Sequence, residues 1–104
     1  MIDAVKNALL SVSDRVYAYT SAGNSVPPYI LYGMDGTNHL MASGKRAELC
    51  DTGYIELYTK EEEDELIAKI PEALETFGIS FYLNSVQFEE ETGLLHYEWI
   101  WEAV

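Results

Sequence analysis

Apolar residues Ile2, Val5, Leu9, Val12 and Val16 recur at intervals of three and four, with Asp3, Lys6, Asn7 and Asp14 on the opposite side. This spacing predicts an amphipathic helix over about 2–13. The period then shortens. "RVYAYT" (15–20) reads as a short strand, and "SAGNSVPP" (21–28) as a loop broken by glycine, asparagine and two prolines. "YILYG" (29–33) is a second strand. "MDGTN" and "SGK" read as turns around a short segment, His39 to Ala42. "RAELC" and "YIELYT" are strand-like on either side of a turn at "DTG".

A second helical pattern follows in "ELYTKEEEDELIAKIPEALETFGI" (56–79), where Leu66, Ile67, Ile70, Ala73, Leu74 and Phe77 share one face. Its five consecutive carboxylates, residues 61–65, suit the positive end of a helix dipole. Thr59 and Glu62 have the spacing of a capping box. The pattern therefore predicts a helix over 61–77. Pro71 lies on its wet side with Asp64, Ala68 and Glu75, and Gly78 ends it in a left-handed conformation.

Residues 79–104 form a hairpin. With "TG" (92–93) as its turn, Phe88 faces Tyr97, Val86 faces Trp99, and Glu89 faces His96 on the other side. Phe81 and Leu83 have the opposite parity to Val86 and Phe88, which requires a bulge near Asn84-Ser85 or a change of buried face. The order α-β-β-β-β-α-β-β predicts an α+β domain spanning 1–104. Two helices pack on one face of a mostly antiparallel sheet, with Leu9, Ile55, Leu57, Ile67, Leu74 and Phe77 in the core.

Composition narrows the function more than the fold. The chain has 104 residues, is 48% hydrophobic, and carries a net charge of −12. It suits one globular domain. The charge is lopsided: residues 1–60 hold six acids and five bases, whereas residues 61–104 hold twelve acids and Lys69 alone as a base. Such a surface repels a phosphate backbone, which argues against specific nucleic-acid binding. No apolar run reaches the roughly 20 residues of a membrane span. An acid at position 3 and the lack of a basic leading segment argue against a signal peptide. Cys50 is the single cysteine and is expected to stay reduced.

Candidate chemistry is sparse. "LCDTG" (49–53) has the form of an aspartic protease motif, in which Asp51 from each of two subunits would share a proton. The later apolar-apolar-glycine segment of such enzymes has no counterpart here. A long amphipathic helix soon after the motif also contradicts their all-β fold, so a turn built on Asp and Gly is the simpler reading. His39 and His96 have no second histidine or cysteine at ligand spacing, and "EEDE" lacks the alternating ligands and glycine of a calcium loop. There is no phosphate-binding loop or nucleophile elbow. The reading is thus of a protein without catalytic, cofactor or metal residues. A generic acidic adaptor for one basic partner remains an alternative.

The N-terminal helix, "VPPYILYG", "MASGKRAELCDTGYIELYTKEEED" and the closing "GISFYLNSVQFEEETGLLHYEWIWE", taken as an ordered set, resemble the tail-completion, or tail-terminator, proteins of long-tailed bacteriophages and prophages. The resemblance implies a non-enzymatic virion protein, present in the virion or in the host cytoplasm during assembly. It would form a ring, typically of six subunits, that caps the tail tube and joins it to the head. Its partners would be further copies of itself, the tail tube protein and the head–tail connector proteins. A ring needs heterologous contacts, and the charge split supplies candidates: Lys45 and Arg46 on a turn of one subunit, and Glu89, Glu90 and Glu91 of the next.

Overall fold

The computed structural model describes residues 2–21, 23, 26–42 and 45–103, and describes side chains throughout these except at 37–49. Helix α1 (Ile2–Leu10) is followed by strands β1 (Val16–Ala18), β2 (Tyr29–Ala42) and β3 (Lys45–Thr59). Helix α2 (Leu66–Thr76) then leads into strands β4 (Ser80–Glu89) and β5 (Leu94–Ala103). The strands form one sheet in the order β1-β2-β3-β5-β4. All neighbours are antiparallel except β1 and β2. The α+β class is as the periodicity predicts.

Two predicted turns are strand interior, and the loss of the one at "DTG" merges two predicted strands into β3. "MDGTN" is only a register shift between Met34 and Gly36 in β2, and "DTG" (51–53) runs straight through β3. The glycines serve close approach, not chain reversal. A Cβ on Gly53 would collide with the Gly33 carbonyl oxygen and the Trp101 indole, and one on Gly33 would meet the Tyr19 ring and the Tyr54 hydroxyl. Trp101 lies fully buried in that space, and its indole N–H donates to the Tyr54 carbonyl at 3.2 Å. The predicted "SGK" turn falls at residues 43–44, which lie outside the described residues. Lys45 and Arg46 are strand residues, paired with Ala42 and Met41.

The second helix begins five residues later than its acid run suggests. The capping box on Glu62 does not form. Instead, Asp64 accepts from the Leu66 N–H at 2.9 Å and from the Thr59 hydroxyl at 2.7 Å, while Thr59 Oγ1 accepts from the Glu61 N–H at 3.2 Å. Thr59 is almost fully buried at the end of β3, so this triad fastens the helix entrance to the sheet. The helix ends as predicted. Gly78 has φ 72°, with Gly78 N–H bonded to the Glu75 carbonyl and Ile79 N–H to the Leu74 carbonyl.

Both helices cover the same face of the sheet. Val5, Ala8 and Leu9 of α1, and Leu66, Ile70, Ala73 and Leu74 of α2, cluster with Ile30, Tyr32, Ile55, Leu57, Trp99 and Trp101. Of the predicted core, Ile67 packs at the margin and Phe77 is a correction. Phe77 caps α2 beyond its last turn and is 43% exposed.

The hairpin between β4 and β5 also differs from its predicted register. The turn spans residues 90–93, closed by Gly93 N–H to the Glu89 carbonyl at 2.8 Å. Glu89 therefore pairs with Leu94, Gln87 with His96, Val86 with Tyr97, and Phe88 with Leu95. The shift is by two residues, so every side chain keeps its predicted face. The bulge required by parity is present between Leu83 and Ser85.

Two stability measurements follow from this packing. Leu74→Ala removes fully buried volume and is expected to cost about 2–5 kcal/mol in chemical denaturation, whereas Phe77→Ala, at an exposed site, should cost well under half as much. Equal losses would mean that the α2 stripe is wrongly assigned. Asp64→Ala should cost about 1 kcal/mol or more as a lost cap, against a smaller change for Glu61→Gln with Glu63→Gln. The reverse ranking would return the capping role to the outer acids.

Candidate functional site

The sheet face away from the helices carries most of the polar organisation. Register places Tyr29, Tyr58, His96 and Gln87 side by side across β2, β3, β5 and β4. Tyr29 stacks on Tyr58 with centroids 4.8 Å apart, and Tyr58 stacks on His96 at 4.3 Å. His96 Nε2 lies 2.7 Å from Glu56 Oε2. A carboxylate only accepts, so that nitrogen carries the proton and donates. His96 Nδ1 is 3.9 Å from Glu89 Oε2. The sequence pairs His96 with Glu89 alone. Glu56 was missed because its approach depends on β3 lying next to β5, which no local pattern reveals.

Burial, and secondarily the Glu56 carboxylate, push the Tyr58 phenol well above its ordinary value, and the Tyr58 hydroxyl lies 3.5 Å from Glu56 Oε2. A phenol so raised stays protonated and is a weak proton donor. No group of three metal-ligating side chains occurs among the described residues. A cleft of about 500 Å³ lies at the α2 entrance, bounded by Pro27, Pro28, Thr59, Glu61 and Asp64. Its inward carboxylate, Asp64, is already committed to Thr59 and the Leu66 N–H. Asp51 of the protease-like motif sits mid-strand in register with Ala103, not in a loop.

The predicted interface residues occupy opposite ends of the molecule. Lys45 and Arg46 open β3, whereas Glu89 ends β4 and Glu90 and Glu91 lie exposed in the adjoining turn. That turn sits beside Leu95, which pairs with Thr59 at the other end of β3. Fourteen residues of extended chain separate Lys45 from Thr59, about 45 Å at strand rise. The basic and acidic groups therefore do not meet within one protomer. The side chains of Lys45 and Arg46 are outside the described set.

Two further surfaces stand out that the sequence did not single out. β5 pairs with β3 only from Asp51 onward, so the β2–β3 hairpin continues past the sheet as a two-stranded ribbon and stretches the molecule to 48 × 26 × 25 Å. On the helix-bearing face, the edge strand β4 exposes Leu83, Val86 and Phe88 at 52%, 47% and 61%. The other edge is partly closed. Tyr19, at φ 65°, lays its ring over Gly33, and its hydroxyl accepts from the Met34 N–H at 3.3 Å.

No protein-family model matches the chain, and no curated protein matches it. Among solved structures it is similar to a chain of the virion of a native gene transfer agent particle. The TM-score is 0.51 at 12% identity, over 97% of this chain and 90% of that one. At this identity the likeness establishes a shared fold.

The raised Tyr58 phenol has a pH consequence. Folding keeps it neutral where the unfolded chain, with an ordinary tyrosine near pH 10, would ionise. Its contribution to stability is therefore complete below that pH and is lost as the pH climbs beyond it toward the folded value. Tyr58→Phe should flatten the alkaline fall in stability measured between pH 9 and 11. An unchanged slope would place the tyrosine in free contact with water.

Proposed function

We propose that this chain is a structural protein of a phage-like particle: a single-domain tail-completion protein that acts as a ring, typically of six copies, capping the tail tube and meeting the head–tail connector. The observation that carries this reading is the fold shared, along nearly the whole chain, with a component of a gene transfer agent virion. The surfaces support it. The carboxylate of the α2-entrance cleft and the His96 cluster have structural partners, while the features without an intramolecular role are an overhanging ribbon, an exposed apolar edge and separated charges. These are features of a subunit awaiting neighbours, and they argue against the protease and adaptor alternatives.

Charge gives the ring its polarity. Lys45 and Arg46 at one end, and Glu89, Glu90 and Glu91 at the other, would meet only between copies, in a heterologous contact that can repeat around a closed ring. Attraction of this kind steers encounter and sets register, with affinity coming from apolar contact. A strongly acidic chain, net −12, also suits a ring through which a genome passes without adsorbing.

Lys45→Glu combined with Arg46→Glu should leave the protomer folded and abolish both ring formation and capping of purified tails, as seen by electron microscopy. Glu89→Lys with Glu90→Lys on the same chain should partly restore them. Undiminished assembly by the double reversal would remove this charge pairing. Failure of wild-type protein to associate with finished tails would remove the tail-completion reading itself.

A further inference from the structure

The exposed strip on β4 is the least explained surface of the molecule. Leu83 pairs with Trp99, Val86 with Tyr97 and Phe88 with Leu95, so all three belong to the face that the helices bury elsewhere. Between Leu83 and Val86 the bulge inserts one residue, and this restores the parity that keeps the later two apolar residues on the same face. Without it, Val86 and Phe88 would turn to the opposite face. Yet α2 covers only the start of β4, through Ile79 and Phe81, and leaves the strip in water. The outer backbone edge of β4 pairs with no strand among the described residues. An apolar edge of this kind is an interaction site or an aggregation hazard.

We infer that the strip is the docking surface for a second copy of this chain, and that its occupant is the overhanging end of the neighbour's β2–β3 ribbon. The inference rests on the ring reading above and adds the apolar half of the contact. Length is the first argument. The ribbon extends beyond the sheet from Asp51 back to Lys45, and the strip runs from Leu83 to Glu89. Each is six residue steps, about 20 Å of strand.

Charge is the second argument. The ribbon ends in Lys45 and Arg46, and the strip ends in the acidic turn of Glu89, Glu90 and Glu91, so laying the ribbon along the strip also brings opposite charges together. Marginal stability is the third, since an isolated two-stranded ribbon gains little by itself and needs a surface to lie on. The two elements lie at opposite ends of one protomer, so neither can satisfy the other in the same chain. A head-to-tail repeat satisfies both.

The test uses two full-length variants. Val86→Ser with Phe88→Ser removes the strip without adding charge, and both side chains are exposed, so circular dichroism and Tm should stay at wild-type values. Sedimentation should show self-association weakened at least tenfold. Lys45→Glu with Arg46→Glu disables the ribbon and should also fail to assemble. Mixed together, the strip variant still offers a ribbon and the ribbon variant still offers a strip, so the pair should form a 1:1 dimer that neither forms alone, and no ring.

Rings of the serine variant indistinguishable from wild type overturn the docking surface while leaving the ring reading intact. If those rings no longer bind finished tails, the strip belongs to another virion protein, and its assignment to a second copy is wrong. Absence of the mixed dimer, with both variants folded, overturns the pairing of ribbon with strip. Wild-type protein that stays monomeric both alone and with finished tails overturns the docking surface and the ring reading together.

Discussion

Two helices of nine and eleven residues must cover a sheet whose longest strands have fourteen and fifteen. At helical and strand rises these are about 14 and 17 Å of helix against about 50 Å of strand. The mismatch governs the molecule. Where the helices reach, the sheet face is dry and holds Trp99, Trp101, Ile55 and Leu57. Where they end, the same face continues uncovered into Leu83, Val86 and Phe88, and the hairpin runs on as a ribbon. Every surface proposed above as an interface is a place where the helical cover stops.

Inside the covered region, close approach is achieved by small residues and held by hydrogen bonds. Gly53 lets the Trp101 indole approach the strand backbones, and the Trp101 N–H donates to the Tyr54 carbonyl. The Thr59–Asp64 bond joins the end of β3 to the entrance of α2, so the helix is positioned by the strand that precedes it. On the opposite face, the Tyr29–Tyr58–His96 stack and the His96–Glu56 bond brace three strands without a covering layer.

The division of charge follows the same geometry. The twelve acids of residues 61–104 lie on α2 and its entrance and on the β4–β5 hairpin, while Lys45 and Arg46 lie at the far end of the ribbon. A protomer of this kind is polar along its length.

The sequence by itself determined which residues face inward. Three- and four-residue spacing marked the α1 and α2 stripes, and alternation marked the sheet faces. The parity conflict between Leu83 and Val86 required a bulge before any strand was paired. These features are local, because the side-chain period of a helix or strand is a property of the backbone itself.

Tertiary structure alone decided what the glycines meant, where β3 lies and how far the helices reach. Gly53 reads as a turn until Trp101, nearly fifty residues away, is seen to need its space. The carboxylate nearest His96 is Glu56 and not Glu89, because β5 is inserted between β3 and β4 in the sheet. Phe77 and Phe88 have the pattern of buried residues but no layer to bury them. Local periodicity specifies a face; only the packing of distant elements determines whether anything in the same chain covers it.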